Sequence, residues 1–145
     1  MGTFKICDNK TYDTHKEICK SIRFKPPIRK SWYKISDKSY LWGPNIVSKS
    51  SDWNLIKPSI QDGVEVKWVN FLDGEKLYSG ELNNKAINKN TLPPYPDYQQ
   101  VVFGQYSPKH GRYYYKFLGL FKYNEEHETI DGVNFAIFNR IATEF

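Results

Sequence analysis

Residues 112–123 alternate aromatic side chains with cations and contain a central glycine, a pattern that predicts a long β-strand. One face would carry the odd-numbered aromatics with Gly119, and the other would carry Leu118 and Leu120 with the lysines. Neither face is wholly polar, as is typical of a strand within a closed or strongly curled sheet. A glycine in its middle would let the sheet bend or let another backbone approach closely.

Further strands are predicted on both sides of this segment. They are expected over residues 31–35, 39–42, 101–106 and 133–138. Residues 83–97 are polar and proline-rich and predict a long loop, and residues 125–132 predict a connection into the last strand.

A hairpin is the clearest local prediction. Alternating side chains mark one face of its first strand, namely Val64, Val66, Trp68 and Leu72. That strand runs into Asp73-Gly74, and residues 76–82 return from the turn. Asp-Gly at this point predicts a type I′ turn, which needs positive φ at both central residues.

A helix is expected near the N-terminus, over about residues 14–24. Thr14 is a candidate N-cap with Glu17 three residues later, and Ile18 with Ile22 forms an apolar stripe. One helix and six to eight strands, the latter over about residues 31–138, predict a single domain spanning residues 1–145. The expected fold is mainly β (α+β), either a single curled sheet or a small β-barrel with an N-terminal helix.

Several classes of protein are disfavoured by the sequence. No segment approaches the roughly 20 apolar residues of a membrane span, and residues 1–10 lack the apolar core of a secretory signal. The three histidines have no metal-ligand spacing, and the glycines form no phosphate-binding loop. We therefore expect a cytoplasmic, non-catalytic protein without a cofactor or metal.

Positive charge is concentrated in one segment. Residues 16–38 contain eight cations and two acids, a net charge of +6, whereas the whole chain carries +5. Such asymmetry favours a polyanionic partner. The alternative is a lysine-rich surface that is simply solvated.

Aromatic and polar side chains that could bind a nucleic-acid base occur together around residues 40–53. The candidate base-binding residues are Tyr40, Trp42, Asn45, Asp52 and Trp53. Unstacked bases are recognised by stacking on aromatic rings, while amides and carboxylates bind their edges. The alternative is that both tryptophans are core anchors of adjacent strands.

Cations that could contact phosphates lie on either side of this region. The candidates are Arg23, Lys25, Arg29, Lys30, Lys49, Lys109 and Arg112. Such contacts would supply a salt-dependent attraction to the nucleic-acid backbone.

A catalytic alternative rests on one short motif. Asp62, Glu65 and Lys67 spell D-x-x-E-x-K, which resembles a compressed signature of restriction nucleases. A metal-dependent nuclease centred on these residues is therefore a further hypothesis.

The C-terminal part of the chain carries a family resemblance. Residues 112–138, RYYYKFLGLFKYNEEHETIDGVNFAIF, resemble the closing segment of SRA domains of the PUA-like superfamily. In that family a Y-x-Y-D-G-L-Y-K-V strand leads through a charged loop into a final strand that ends in W-R-F. Here Leu118 stands in place of the aspartate, and Ala136-Ile137 stands in place of Trp-Arg before Phe138.

This resemblance implies a PUA-like barrel that binds methylated or otherwise modified cytosine in DNA by flipping the base. It also implies the recognition half of a restriction or host-defence system, with DNA and another protein of that system as partners. Recognition barrels of the EVE and B3-like kinds remain alternatives. A small protein-binding or ligand-sequestering inhibitor, such as a phage anti-defence protein, is the alternative outside this class.

Overall fold

A computed structural model describes residues 4–25, 33–49, 53, 59–61, 64–82, 97–107 and 112–145. The N-terminal part contains a 3₁₀ helix (Ile6–Asp8), β1 (Thr11–Tyr12) and α1 (His15–Ser21). The strands that follow are β2 (Tyr33–Lys34), β3 (Ser39–Trp42), β4 (Ser59–Gln61), β5 (Val64–Asp73), β6 (Lys76–Leu82), β7 (Gln99–Tyr106), β8 (Tyr114–Ile130) and β9 (Val133–Ala142). The mainly β class with an N-terminal helix is confirmed.

The nine strands form one sheet. Its order is β2-β3-β7-β8-β9-β6-β5-β4, and β1 pairs with β8. Neighbouring strands are antiparallel except β3 and β7, which are parallel. Within the described residues, the terminal strands β2 and β4 do not pair with each other. Of the two expected architectures, the structure therefore has the curled sheet and not the closed barrel.

Residues 44–47 draw the two halves of this sheet together. Asn45 forms a single bridge with Gln105 of β7, and Ile46 forms one with Asn70 of β5. The backbone N–H of Ile46 donates to the Gln105 carbonyl at 2.9 Å, and that of Val47 donates to the Asn70 carbonyl at 2.9 Å. Because β8, β9 and β6 separate β7 from β5 in the sheet, these bonds require a strong curl.

The curl encloses an inner apolar cluster to which four strands contribute. Its members are Leu77, Val102, Leu118, Phe121, Tyr123, Ala136 and Phe138, with Trp42, Ile46, Leu72 and Tyr106 packed against them. We call the face that carries these residues the inner face. Two further clusters cover the outer face, one beneath α1 and the N-terminal segment and one on β5, β6 and β9.

A bulge at Gly119 exchanges the two faces of β8. Val102 lies opposite Gly119 and Phe103 opposite Phe117, so one residue of β8 is extra. Consequently Phe117 packs in the outer cluster and Phe121 in the inner one. The uninterrupted alternation expected over residues 112–123 is therefore wrong, because a bulge inverts the side-chain pattern. The expected role of the glycine is confirmed, since its φ is 120°.

The turn between β5 and β6 and the turn between β8 and β9 both differ from the sequence expectation. In the first, Asp73 pairs with Lys76, and positive φ occurs at Gly74 but not at the next residue. Positive φ at the first central residue alone is the pattern of a type II′ turn, whereas a type I′ turn has positive φ at both central residues. In the second, Asp131 and Gly132 have φ of 50° and 80°, as a type I′ turn requires. Residues 125–130, expected to be a connection, instead continue β8.

The helix α1 is capped as expected but is shorter. The Thr14 hydroxyl accepts a hydrogen bond from the Glu17 N–H at 3.3 Å, and the Glu17 carboxylate accepts one from the Asp13 N–H at 3.1 Å. The helix ends at Ser21, because Arg23 adopts a φ of 55°. Ile18 and Cys19 anchor it in the outer cluster. Within the described residues, no helix has the length and apolar character needed to cross a membrane.

Candidate functional site

Strands β5, β6, β9 and β8 carry successive rows of side chains across the inner face. Directly paired residues lie on the same face of a sheet. One apolar row consists of Leu72, Leu77, Phe138 and Tyr123, and the next consists of Asn70, Ser79, Ala136 and His127. Beyond it, Trp68 pairs with Glu81, and Asn134 pairs with Thr129. The inner face therefore changes from apolar to polar along the strands.

We call Trp68, Asn70, Ser79, Glu81, His127 and Asn134 the inner polar patch. Asn70 is 4% exposed, and two hydrogen bonds fix its amide. Its Oδ1 accepts from the Ser79 hydroxyl at 2.6 Å, and its Nδ2 donates to the Asn45 carbonyl at 3.2 Å. A primary amide has two N–H donors and two acceptor lone pairs. Nδ2 of Asn70 therefore has one N–H left to donate, and Oδ1 has one lone pair left to accept a hydrogen bond. The two existing bonds hold both groups in a fixed orientation.

His127 links two other side chains of the inner face. Its Nε2 contacts the Tyr123 hydroxyl, and its Nδ1 lies 3.3 Å from Oδ1 of Asn134. Because an amide oxygen can only accept, the second contact places a hydrogen on Nδ1. In the neutral imidazole, Nε2 then accepts the Tyr123 O–H. Burial, followed by the negative charge of Glu125, raises the pKa of Tyr123 and keeps this donor protonated.

Trp68 and Glu81 complete the inner polar patch. Both are half-buried, and their direct pairing makes them neighbours on the inner face of the sheet. One row away, the Asn70 amide adds a donor and an acceptor. A planar ring with hydrogen-bonding edges matches this combination, since the indole offers a stacking surface and the polar groups lie next to it.

The structure overturns the base-stacking hypothesis for Trp53. This side chain is 7% exposed and belongs to the outer cluster of β5, β6 and β9. Its ring stacks on Phe71 at 5.9 Å and meets Phe135 edge-on at 5.5 Å between centroids. Its indole N–H donates to the Ser48 carbonyl at 3.3 Å. Trp53 is therefore a core anchor, the alternative that the sequence left open.

The other expected base-binding residues have different positions. Trp42 is half-buried against Phe138 on the inner face, at 5.1 Å between ring centroids. Tyr40, two residues earlier in β3, pairs with Gln100. Asn45 is half-buried, and it contacts the inner polar patch through its backbone carbonyl. Asp52 lies outside the described residues.

The expected phosphate-binding cations that the structure describes lie at three separate places. Arg23 and Lys25 are exposed just after α1, and Arg112 is exposed just before β8. Lys49 forms an ion pair with Asp73 at 3.1 Å, beside the first hairpin turn. Arg29, Lys30 and Lys109 lie outside the described residues.

The nuclease motif is described only in part. Asp62 lies outside the described residues, and only the backbone of Glu65 is described. Lys67 pairs with Leu82 in β5. Among the residues that the structure describes, no group of three or more histidine, cysteine, aspartate or glutamate side chains could hold a metal ion.

Sequence reasoning missed most of the inner polar patch, although one signal was present. Asn70 falls between Trp68 and Leu72 on the strand face predicted to be apolar. A polar residue within such a face either needs a buried partner or serves a ligand. The partners, Ser79 and Asn45, become evident only from the pairing of the strands.

Comparison with known proteins gives a family match and a structural likeness. The model of the SET and RING associated domain, SRA, matches residues 2–145. Among solved structures, the chain is similar to the 5-hydroxymethylcytosine-specific restriction enzyme AbaSI, with a TM-score of 0.62 and 16% sequence identity. The match covers 98% of this chain and 41% of the AbaSI chain. No curated protein matches the chain.

Proposed function

Since the chain belongs to the SRA domain family, we propose that it recognises a modified base in DNA after the base has left the double helix. The single observation that carries the proposal is the inner polar patch, in which Ser79 and Asn45 orient the Asn70 amide beside Trp68 and Glu81. The patch lies on the enclosed face of the curled sheet. A base paired inside a duplex could not reach it, so recognition requires flipping.

Cytosine fits the chemistry of this patch. Its exposed edge offers an amino donor and ring acceptors, and carboxylates accept hydrogen bonds from that amino group. In the proposed complex Glu81 accepts from the amino group, while the remaining N–H of Asn70 donates to a ring acceptor. Trp68 stacks on the base. The structural likeness to an enzyme specific for 5-hydroxymethylcytosine supports a cytosine modified at C5.

Two of the expected base-binding residues keep a place in this proposal. Trp42 and Tyr40 lie on β3, and Trp42 packs on Phe138, whose neighbouring row contains Ala136 and Asn70. We assign them to the wall of the base site. Asn45 acts indirectly, because its carbonyl holds the Asn70 amide in place.

The domain is further proposed to be a non-catalytic recognition unit within a restriction or defence system. Support comes from the match to the SRA model over residues 2–145 and from coverage of only 41% of AbaSI. A recognition unit of this kind needs a nuclease activity elsewhere, either in the same protein or in a partner. DNA is its expected ligand, and the single-domain organisation over residues 1–145 remains part of the proposal.

The proposal predicts a preference among matched duplexes. Fluorescence anisotropy with duplexes that contain one cytosine, 5-methylcytosine or 5-hydroxymethylcytosine, at two salt concentrations, should show tighter binding to a modified duplex. Trp68→Ala should weaken that binding by about 1–3 kcal/mol, the usual loss for one stacked base. Glu81→Gln should weaken binding of all three duplexes, because cytosine and its C5-modified forms share the amino group from which Glu81 accepts.

Tyr113→Ala is the matched control, because Tyr113 is 51% exposed and precedes β8, away from the patch. The control should bind like the wild type, and thermal melting should show that all variants are folded. Equal affinity of the wild type for the three duplexes would contradict the proposed function. A folded Trp68→Ala protein with wild-type affinity would remove the assignment of the stacking residue.

A further inference from the structure

Lys116 lies on the inner face of β8. Its neighbours along the strand, Tyr115 and Phe117, both belong to the outer cluster beneath α1, so alternation turns Lys116 the other way. In the sheet Lys116 pairs with Gly104 of β7. A Cβ added at Gly104 would lie 2.8 Å from Cγ1 of Ile46, which packs against the inner cluster. The lysine therefore shares the enclosed face with the inner polar patch.

Among the residues that the structure describes, Lys116 is the one half-buried lysine or arginine that has no ion-pair or hydrogen-bond partner. The other half-buried cations are Lys67, Lys76 and Arg140. Lys76 and Arg140 form ion pairs with glutamates at 3.3 and 3.1 Å, and Lys67 also has an interaction partner. Partial burial of a charge without a partner costs free energy. An anionic ligand would supply the missing counter-charge.

Ile46 lies between Lys116 and the inner polar patch. It forms a β-bridge with Asn70 of the patch, and it packs beside Gly104, the partner of Lys116. Across β7 and residues 44–47, the backbones of Lys116 and Asn70 are three strand spacings apart. This corresponds to about 14 Å in a flat sheet. The curl and the long lysine side chain bring the ammonium group and the Asn70 amide closer than that.

We propose that Lys116 binds the phosphate of the nucleotide whose base enters the inner polar patch. The assignment rests on the proposed function and adds a residue to its site. In a nucleotide one sugar joins the base to the phosphate, so a base held by Asn70 places its phosphate on the side of Ile46 where Lys116 lies. An ammonium group has three N–H donors, and hydrogen bonds between ionised groups are about twice as strong as neutral ones. Lys116 therefore holds the nucleotide in its flipped position.

Lys116→Met should have opposite effects on stability and on binding. Methionine keeps an unbranched side chain and removes the unpaired charge, so the melting temperature should equal or exceed that of the wild type. Affinity for the preferred modified duplex should fall by about 10- to 100-fold, the usual effect of losing a hydrogen bond to a charged group. A misfolded variant could not show both results. Wild-type affinity of a folded Lys116→Met protein, or a clear fall in its melting temperature, would overturn the proposal.

Lys122→Met is the matched control. Lys122 lies on the same strand and is exposed. Its neighbours Phe121 and Tyr123 belong to the inner cluster, so Lys122 faces the other side. The control should weaken binding much less than Lys116→Met, whereas Lys116→Arg should retain most of the affinity because it keeps the charge.

Duplexes with an uncharged backbone position identify the phosphate. A methylphosphonate replaces the phosphate on the 5′ or the 3′ side of the modified cytosine, or a distant phosphate as the control. At one of the two adjacent positions the wild type should lose about 10- to 100-fold in affinity. Lys116→Met should lose much less there, because the contact is already absent. The distant methylphosphonate should affect both proteins equally.

Binding by the wild-type protein tests the proposed function separately. Equal wild-type affinity for cytosine, 5-methylcytosine and 5-hydroxymethylcytosine duplexes would contradict that function. If the wild type prefers a modified duplex, but each adjacent methylphosphonate weakens binding of the wild type and of Lys116→Met by the same factor, Lys116 does not bind this phosphate. The proposed function would then stand without it.

Discussion

Replacing Trp53 with alanine is expected to lower the free energy of unfolding by about 3–5 kcal/mol, the usual cost of removing a large buried aromatic side chain. The indole lies between Phe71 and Phe135 and is 7% exposed. Alanine would leave a cavity between these rings. It would also remove the hydrogen bond to the Ser48 carbonyl. Urea denaturation followed by circular dichroism measures the loss.

Trp53→Phe is the informative control for this experiment. Phenylalanine keeps an aromatic ring against Phe71 but lacks the indole N–H, so we expect a loss of about 1–2 kcal/mol. If Trp53→Ala instead left stability unchanged and abolished DNA binding, Trp53 would be a ligand contact. The core assignment made from its burial would then be wrong.

Trp53 illustrates which parts of the site the sequence could predict. Trp42 and Trp53 both flank the same polar segment, and local sequence does not separate them. In the structure one lies on the inner face and the other in an outer cluster. The difference arises from the curl of the sheet, which depends on contacts between residues distant along the chain.

The inner polar patch could not be predicted from local sequence either, because it also depends on contacts between residues distant along the chain. Trp68 and Asn134 lie on strands that are remote in sequence, and β6 lies between them in the sheet. Alternation within β5 correctly predicted that Trp68 and Leu72 share a face. It could not show that Ser79 and His127 lie on that face too, because pairing register is a tertiary property.

The fold class could be predicted from the sequence more readily than the details of the strands. Period-2 alternation and the Asp73-Gly74 sequence indicated long strands and a hairpin, because these signals act over a few residues. The bulge at Gly119 could be anticipated as a bend, but not as the exchange of faces that carries Phe121 and Tyr123 to the inner cluster. Gly119 is therefore the position where one small substitution tests the architecture.

Gly119→Ala is expected to lower the free energy of unfolding by about 2–6 kcal/mol, from backbone strain and steric overlap of about 1–3 kcal/mol each. The residue has a φ of 120°, which side-chain-bearing residues rarely adopt. An added Cβ would lie 2.8 Å from the Ala142 carbonyl oxygen and 3.1 Å from Nε of Arg140. That Nε donates to the Leu118 carbonyl at 3.0 Å, so relief of the overlap would disturb the bulge itself.

Gly74→Ala separates the two causes of this loss. Gly74 has a φ of 63°, but an added Cβ there would meet no atom within 4 Å. Gly74→Ala should therefore lower the free energy of unfolding by the backbone strain alone, about 1–2 kcal/mol. Urea denaturation of both variants measures the difference, and equal losses would show that close approach at Gly119 does not matter. Because the bulge turns Phe121 and Tyr123 toward the inner face, Gly119→Ala should also weaken binding of modified DNA, whereas Gly74→Ala should not.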